Sequence, residues 1–376
     1  MDAGAFGDMF TTAGERIGVS ACPGQSLTAR KLMNAHDYLS DDGQVLLALC
    51  SAFALTERAD ADGLEPFKLS EWNQLARQIQ GSPLKQPAAL RGQTADELAR
   101  ALVISSDDAG RIVRLLERSG RLALELDGLF ARGMWVVTRV DEHYPAKLRD
   151  TLEHQAPTVL FGAGDIQLLR RGGVAVIGSR NIDEPGAAFA KEIGRRTAVG
   201  GLPVVSGGAR GTDRLAMEAA IEAGGIAFGV LADSLERTIR QADLRQLLLD
   251  DQLVLLTPYA PTAGFSVGAA MGRNKVIYGL ADFAVVVSSD FQTGGTWAGA
   301  IEALKAGWCP VFVRAGAAAP KGNQELQKSG GIALPESDLA SVDDLPAWFR
   351  QHASVKPVET DLFGMALREE ATRKSP

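Results

Sequence analysis

The sequence predicts an α/β protein in which a small helical domain precedes a doubly wound, Rossmann-like parallel sheet. Three observations predict this fold class. Between residues 174 and 313, short apolar runs alternate with amphipathic segments of helix length, a pattern typical of parallel strands covered by helices on both faces. Before residue 133, apolar residues recur at helical spacing. The chain has 376 residues, 46% of them apolar, so it is long enough for more than one domain.

The helical domain is expected over residues 1–133. Ser40 is placed to cap a helix that carries Val45, Leu46 and Leu49 on one face. Three further helical segments follow, separated by glycine and serine: KLSEWNQLARQIQ (68–80), TADELARALVI (94–104) and SSDDAGRIVRLLERSGRLALELDGLFARG (105–133). We interpret this domain as a structural or partner-binding module, with direct DNA contact as the alternative.

The second domain is expected over residues 134–331, because the period of the apolar residues changes at Met134. MWVVT and TVLFGAG predict two short strands. Six apolar runs then predict the strands of the parallel sheet: 174–177, 203–205, 226–231, 253–256, 283–287 and 310–313. After Gly331 the chain becomes polar. Residues 332–376 are therefore expected to form a C-terminal tail with at most one helix, DLFGMALREEATRK.

Composition excludes several classes of protein. No stretch reaches the roughly 20 apolar residues of a membrane helix, and the N-terminus lacks the pattern of a secretion signal, so we expect a cytoplasmic protein without membrane contact. The cysteines Cys22, Cys50 and Cys309 are widely spaced, which favours reduced thiols. No pattern typical of a metal site is present. The formal charge of -7 argues against a long basic surface, so any phosphate site must be local.

Glycine-rich turns follow three of the predicted core strands. In doubly wound sheets, ligands bind beyond the carboxyl ends of the strands, where glycines let a ligand approach the backbone and helix starts present free amides to anions. Because arginine accompanies two of these turns, we expect an anion site there. Its candidate residues are Gly178, Ser179 and Arg180 in the first turn, Ser206, Gly207, Gly208, Arg210 and Gly211 in the second, and Gly294, Gly295 and Thr296 in the third.

A fourth segment, Arg273, Asn274 and Lys275, is expected at the start of a helix and at the edge of the same site. Cations at a helix start oppose the helix dipole, so a ligand is a better partner for them than the helix. The G-x-G-x-x-G fingerprint and the P-loop are both absent from the sequence. This argues against a dinucleotide or ATP cofactor, and we expect no cofactor.

The sequence gives little support for catalysis. GFSVG (264–268) matches the G-x-S-x-G pattern of hydrolases, but residues separate it from the preceding strand and histidine is absent from residues 155–351. We therefore expect no catalytic residue and no enzyme. An N-glycosidic hydrolase acting on a nucleotide stays an alternative, with Asp213 and Glu302 as the candidate carboxylates.

Six segments, in order, resemble one protein family. They are YPAKL (144–148), VLFGAG (159–164), GSRN (178–181), SGGARGTDRLAMEAAIEAGG (206–225), RNKVIYGLADFAVVV (273–287) and TGGTWAGAIEAL (293–304). Together they resemble the DNA-processing protein A, or Smf, family of bacteria. The resemblance covers about residues 135–315. The chain departs from the family pattern where AAMGRNK replaces an F-P-x-R-N-R run and where TGGTW replaces an S-G-S-L turn.

The resemblance implies a non-enzymatic protein that binds single-stranded DNA, forms a homodimer and helps to load a RecA-type recombinase during natural transformation. It also implies that the glycine turns hold DNA phosphates, with arginine forks as bidentate contacts. The alternative is a Rossmann-like sensor that binds a free nucleotide or a nucleotide-derived signal. Single-stranded DNA predicts a steep salt dependence of binding, whereas a nucleotide needs only a small pocket.

Overall fold

The structure, a computed structural model, describes residues 38–55 and 63–353. Its strands form one sheet of order β1-β2-β6-β5-β4-β3-β7-β8-β9. β1 pairs antiparallel with β2 and β2 with β6, and all other neighbours are parallel. The strands are β1 Met134–Thr138, β2 Val159–Ala163, β3 Val174–Gly178, β4 Val204–Ser206, β5 Ala227–Val230, β6 Leu253–Thr257, β7 Phe283–Ser288, β8 Val311–Ala315 and β9 Ile332–Pro335. The predicted fold class is confirmed, with an antiparallel extension at one edge.

The helices fall into an N-terminal group and a group that covers the sheet. The first group is α1 Asp41–Cys50, α2 Leu69–Gly81, α3 Ala95–Leu102, α4 Ser106–Glu117 and α5 Ser119–Ala131. The second is α6 Ala146–Leu152, α7 Glu184–Val199, α8 Thr212–Glu222, α9 Leu235–Thr238, α10 Ala242–Leu249, α11 Val267–Leu280, α12 Gly294–Ala306, α13 Lys321–Lys328, α14 Glu336–Ser341 and α15 Leu345–Ala353. No helix in the described ranges is long and apolar enough to span a membrane.

Side-chain caps start the N-terminal helices where the sequence predicts them. The Ser40 hydroxyl accepts a hydrogen bond from the Gly43 amide, and Thr94 forms a capping box with Glu97. These caps satisfy amides that have no partner inside the helix. The helices enclose a core of their own around Trp72 and Ile112, which are both buried.

One buried carboxylate ties the helical part to the sheet. Asp141, which is 2% exposed, accepts hydrogen bonds from the hydroxyls of Ser40 at the start of α1 and Thr138 at the end of β1, both over 2.6 Å. Leu122 and Leu129 of α5 also belong to the core on one face of the sheet. The helices therefore share apolar packing with the sheet, and a domain boundary at 133/134 stays our proposal.

Alternate residues of the central strands pack into two cores. Val174 and Val176 of β3 lie in the core under α7 and α8, whereas Ala175 and Ile177 lie in the core under α11 and α12. Helices on both faces explain why these strands are apolar throughout.

The chain reverses its direction of winding beside β3. From β3 it proceeds through β4 and β5 to β6, then crosses back along α11 to β7 on the other side of β3. Such a switch of strand order opens a crevice between the loops at the carboxyl ends of the strands. The glycine turns after β3, β4 and β7 all lie at this end of the sheet.

The segment after Gly331 is more regular than the sequence predicts. The structure has β9, α14 and α15 over residues 332–353, where at most one helix was expected. β9 pairs with β8, and the buried side chains of Leu339 and Phe349 join the core. A strand of four residues with one buried side chain leaves too short a pattern to recognise. The helix predicted over residues 361–374 lies outside the described residues.

Candidate nucleic-acid interface

The loops after β3 and β4 are in direct contact. The Thr212 hydroxyl at the start of α8 donates a hydrogen bond to the Ser179 carbonyl over 3.1 Å. Gly211 has a φ of +88°, and a Cβ built on it would lie 2.5 Å from the Arg180 carbonyl oxygen. Only glycine avoids both problems. A Cβ at Gly178 would likewise lie 2.4 Å from the Thr212 hydroxyl. These glycines therefore bring the two loops together.

Two arginines stand exposed on these loops. Arg210 lies 3.4 Å from the Asn181 side-chain oxygen, and the Arg180 guanidinium lies 5.7 Å from the centre of the Phe265 ring. Neither forms an ion pair with any residue that the structure describes. Both guanidinium groups therefore keep free N–H donors beside the crevice. An anion could accept two hydrogen bonds from each of them.

Arg273 lies inside the protein, at 6% exposure. Its Nη1 donates a hydrogen bond to the Val230 carbonyl over 2.7 Å, and its guanidinium fills the space against Gly207, where a Cβ would lie 1.5 Å from Nη1. The sequence placed Arg273 at a helix start, but α11 begins at Val267 with Ser266 as its cap. Arg273 therefore packs against the carboxyl ends of β4 and β5 from inside the protein.

Asp213 is the buried counterpart of Arg273. The two side chains approach to 4.0 Å, and the Asp213 carboxylate also interacts with the backbone amides of Ala209 and Gly207. Burial nevertheless raises the pKa of Asp213 and lowers the pKa of Arg273, because a contact of this length does not offset the loss of water around both charges. The inner side of the β4 loop is thus occupied by a carboxylate of the protein itself.

The two residues after Arg273 also have partners within the protein. The Asn274 amide donates a hydrogen bond to the Gly295 carbonyl over 3.1 Å, which joins α11 to the start of α12. Lys275 forms an ion pair with Glu302 at 2.7 Å and a hydrogen bond with Gln155. These contacts use the polar groups that the sequence assigned to a ligand.

The serines of the first two turns have internal roles as well. The Ser206 hydroxyl is buried and donates to the Val176 carbonyl over 2.6 Å. The Ser179 hydroxyl accepts from the Asn181 amide over 3.1 Å and shapes the loop that carries Arg180. Among the described residues, the amides of Gly208, Arg210 and Gly211 donate to no backbone carbonyl. In the β4 loop, backbone amides are therefore better candidates for hydrogen bonds to a ligand than the Ser206 hydroxyl.

The third turn follows β7, the neighbour of β3 on the other side. Gly294 has a φ of +82° and begins α12, whose first amides have no partner inside the helix. Gly295 and Thr296 are partly exposed there.

Three polar residues near the turns were not predicted: Asn181, Lys321 and Asn323. Asn181 follows Arg180 in the GSRN turn, so its place in that turn could have identified it. Lys321 and Asn323 lie at the start of a helix that no glycine-rich turn precedes, so the sequence pattern did not indicate them.

These features define a Rossmann-like α/β protein that carries two exposed arginines on touching loops at the switch of strand order. No group of side chains in the described ranges could hold a metal ion. The DNA recombination-mediator protein A family matches residues 135–340, more than half of the chain. The chain therefore belongs to that family, and the resemblance found in the sequence is confirmed.

Relatives agree with this assignment. The chain is 31% identical over 157 residues to the DNA processing protein DprA of Streptococcus pneumoniae, which covers 41% of this chain and 54% of that protein. It is 30% identical over 159 residues to the protein Smf of Escherichia coli, covering 41% of each chain. The X-ray structure of DNA processing protein A from Streptococcus pneumoniae aligns with a TM-score of 0.50 and 21% identity, over 73% of this chain and 98% of that chain. This alignment shows a common fold. The chain spans about half the length of the curated relatives it matches.

Proposed function

We propose that this protein binds single-stranded DNA without catalysing a reaction on it, and that it acts in DNA uptake or recombination. The observation that carries the proposal is the pair of exposed arginines, Arg180 and Arg210, on two loops that touch each other at the switch of strand order. Both guanidinium groups keep free donors, which suits phosphate oxygens. Membership in a family described as DNA recombination mediators supports DNA as the source of those phosphates.

The proposed contact surface consists of the loop tips. Phosphates would accept hydrogen bonds from the two arginines, from the free amides of Gly208 and Gly211, and from the start of α12. We assign to direct contact Gly178, Ser179, Arg180, Gly208, Arg210, Gly211, Gly294, Gly295 and Thr296. We assign to support of these loops Ser206, Gly207, Arg273, Asn274 and Lys275.

The side chains that could serve a hydrolase are engaged. Glu302 pairs with Lys275 at 2.7 Å, and Asp213 is buried against Arg273 and two amides. A general base must reach the reacting group, and neither carboxylate is free to do so. This supports a binding function. By analogy with the family, we further propose that the protein forms a homodimer, protects the strand and loads a RecA-type recombinase.

The test is a titration of a labelled single-stranded oligonucleotide by fluorescence anisotropy at about 50 mM and about 200 mM salt. We expect the affinity to fall steeply with salt, and we expect AMP or ATP in excess not to displace the strand. In the double variant Arg180→Ala/Arg210→Ala, the logarithmic salt slope should fall by about 1.4, since a single strand loses about 0.7 for each phosphate contact removed. Arg195→Ala is the matched control, because Arg195 is an exposed arginine on α7, paired with Glu192.

Two results would overturn the proposal. One is the binding of a free nucleotide with little salt dependence and no binding of the strand, which would favour the nucleotide sensor. The other is an equal salt slope in the double variant and the Arg195 control, which would place the DNA elsewhere on the molecule.

A further inference from the structure

A second cation lies against aromatic rings beyond the third glycine turn. The Lys321 ammonium is 5.1 Å from the centre of the Phe291 ring, and the Phe291 and Trp297 rings meet edge to face at 5.2 Å. Phe291 and Trp297 are partly exposed and Lys321 is exposed. Lys321 forms no ion pair within the part of the chain that the structure describes. We call Phe291, Trp297 and Lys321 the aromatic corner.

A buried asparagine fixes this corner in place. Asn323 is fully buried, accepts a hydrogen bond from the Ser289 amide over 2.9 Å and donates to the carbonyls of Val287 and Arg314. It thereby joins the β7 loop to the start of α13. Gly322 packs so closely on this loop that a Cβ would lie 2.1 Å from the Ser289 carbonyl oxygen. The loop that carries Phe291 is therefore held rigidly against the helix that carries Lys321.

The position of the corner relates it to the arginine loops. β7 is the immediate neighbour of β3 in the sheet. The loop of Phe291 therefore lies next to the loop of Arg180 at the carboxyl ends of the strands. The Arg180 loop has a similar pair, since the Arg180 guanidinium lies 5.7 Å from the centre of the Phe265 ring. Proteins that bind single strands combine cations that follow the backbone with aromatic rings on which bases stack. A partly exposed ring beside an unpaired lysine fits one nucleotide of such a strand.

We propose that Phe291 is a stacking site for an unpaired base of the DNA strand whose phosphates bind at the Arg180 and Arg210 loops, with Lys321 at the adjacent phosphate. This inference rests on the proposed function and adds a specificity to it. Inside a duplex, both faces of each base are covered by its neighbours, so only the two end pairs leave a face on which the ring could stack. The aromatic corner therefore makes the site selective for single strands.

The experiment compares the wild type with Phe291→Leu, Phe291→Tyr and Lys321→Gln. Dissociation constants are measured by anisotropy for a labelled single strand and for the same sequence as a blunt duplex. Phe291→Leu should weaken single-strand binding about 10-fold, within the range reported for loss of one stacked base, and should leave duplex binding unchanged. Phe291→Tyr should restore wild-type affinity, because the ring is kept. Lys321→Gln should lower the salt slope by about 0.7.

The matched control is Lys328→Gln, since Lys328 lies at the other end of α13 and is paired with Glu325. It should bind as the wild type does. Equal single-strand affinity in Phe291→Leu and the wild type would overturn the stacking site while leaving the proposed function intact. An equal loss for single strand and duplex would also overturn it. Failure of the wild type itself to bind the strand would contradict the proposed function instead. Should Phe291→Leu not fold, Lys321→Gln with its control decides whether DNA reaches this corner.

Discussion

The loops after β3 and β4 and the middle of α11 both carry basic residues toward the same end of the sheet, yet the structure uses them in opposite ways. Arg180 and Arg210 are exposed and free of ion pairs among the described residues. Arg273 is buried beneath Gly207, and Lys275 is paired with Glu302. The positive charges on the loops have no such partner, whereas those on the helix are engaged with groups of the protein itself.

The difference follows from the local backbone. A glycine-rich turn has few side chains of its own, so a long side chain beside it extends into solvent. Arg273, in the middle of α11, is buried, and a buried cation must find partners among carbonyls and carboxylates. Charge near a crevice therefore indicates a ligand contact only when the backbone beside it leaves the charge exposed.

The largest effect that we predict is on stability, at Arg273. Arg273→Ala should lower the free energy of unfolding by about 3–5 kcal/mol, because it leaves Asp213 as an unpaired buried carboxylate and opens a cavity under Gly207. Urea denaturation measures it. Adding Asp213→Asn to this variant should recover part of the loss, since the unpaired charge is then gone. A loss below about 1 kcal/mol would mean that Arg273 is not the support that its burial indicates.

The next largest effect is on DNA affinity, at the loop arginines. Arg180→Ala and Arg210→Ala should each weaken binding of a single strand about tenfold, which corresponds to one charge-assisted contact. Each should change the free energy of unfolding by less than about 0.5 kcal/mol, as is usual for exposed side chains. Anisotropy and urea denaturation on the same samples separate the two quantities. A stability loss comparable to that of Arg273→Ala would remove the distinction between the loops and the helix.

Much of this arrangement could be predicted from the sequence. Strands with both faces buried are apolar throughout, so all six core strands and the two strands before them were predictable. The turns after β3, β4 and β7 were also predictable, because glycine and arginine leave a clear pattern. The start of α11 was not, since Gly264, Gly268 and Gly272 obscure a helix that begins at Val267. The burial of Arg273 depends on residues from β5 and α8, and no local pattern records such long-range contacts.

A smaller effect is expected in the pH dependence of stability, at Asp213. Burial raises the pKa of this carboxyl above its ordinary value of 3.8, so the folded state holds the proton at pH values where the unfolded state has lost it. Stability therefore falls as the pH rises from 3.8 through the raised pKa of the folded state. Relative to the wild type, Asp213→Asn should become more stable across that window, by at most about 1.4 kcal/mol for each pH unit. Urea denaturation from acid to neutral pH measures the difference. A difference that shrinks as the pH rises would contradict the assignment.

The smallest effect is expected at Lys275. Lys275 and Glu302 are partly exposed, and ion pairs of this kind contribute about 0–1 kcal/mol. Lys275→Ala should therefore lower the free energy of unfolding by less than about 1 kcal/mol. It should leave the salt slope of DNA binding unchanged, because Glu302 already neutralises the lysine.

Glu302→Gln tests the same ion pair by removing the charge of the carboxylate. If the helix and loop cations differ only in their partners, then releasing Lys275 from Glu302 should strengthen DNA binding slightly and raise the salt slope. If affinity stays constant in Glu302→Gln, then Lys275 lies too far from the strand, and position, in addition to pairing, separates the helix cations from those of the loops.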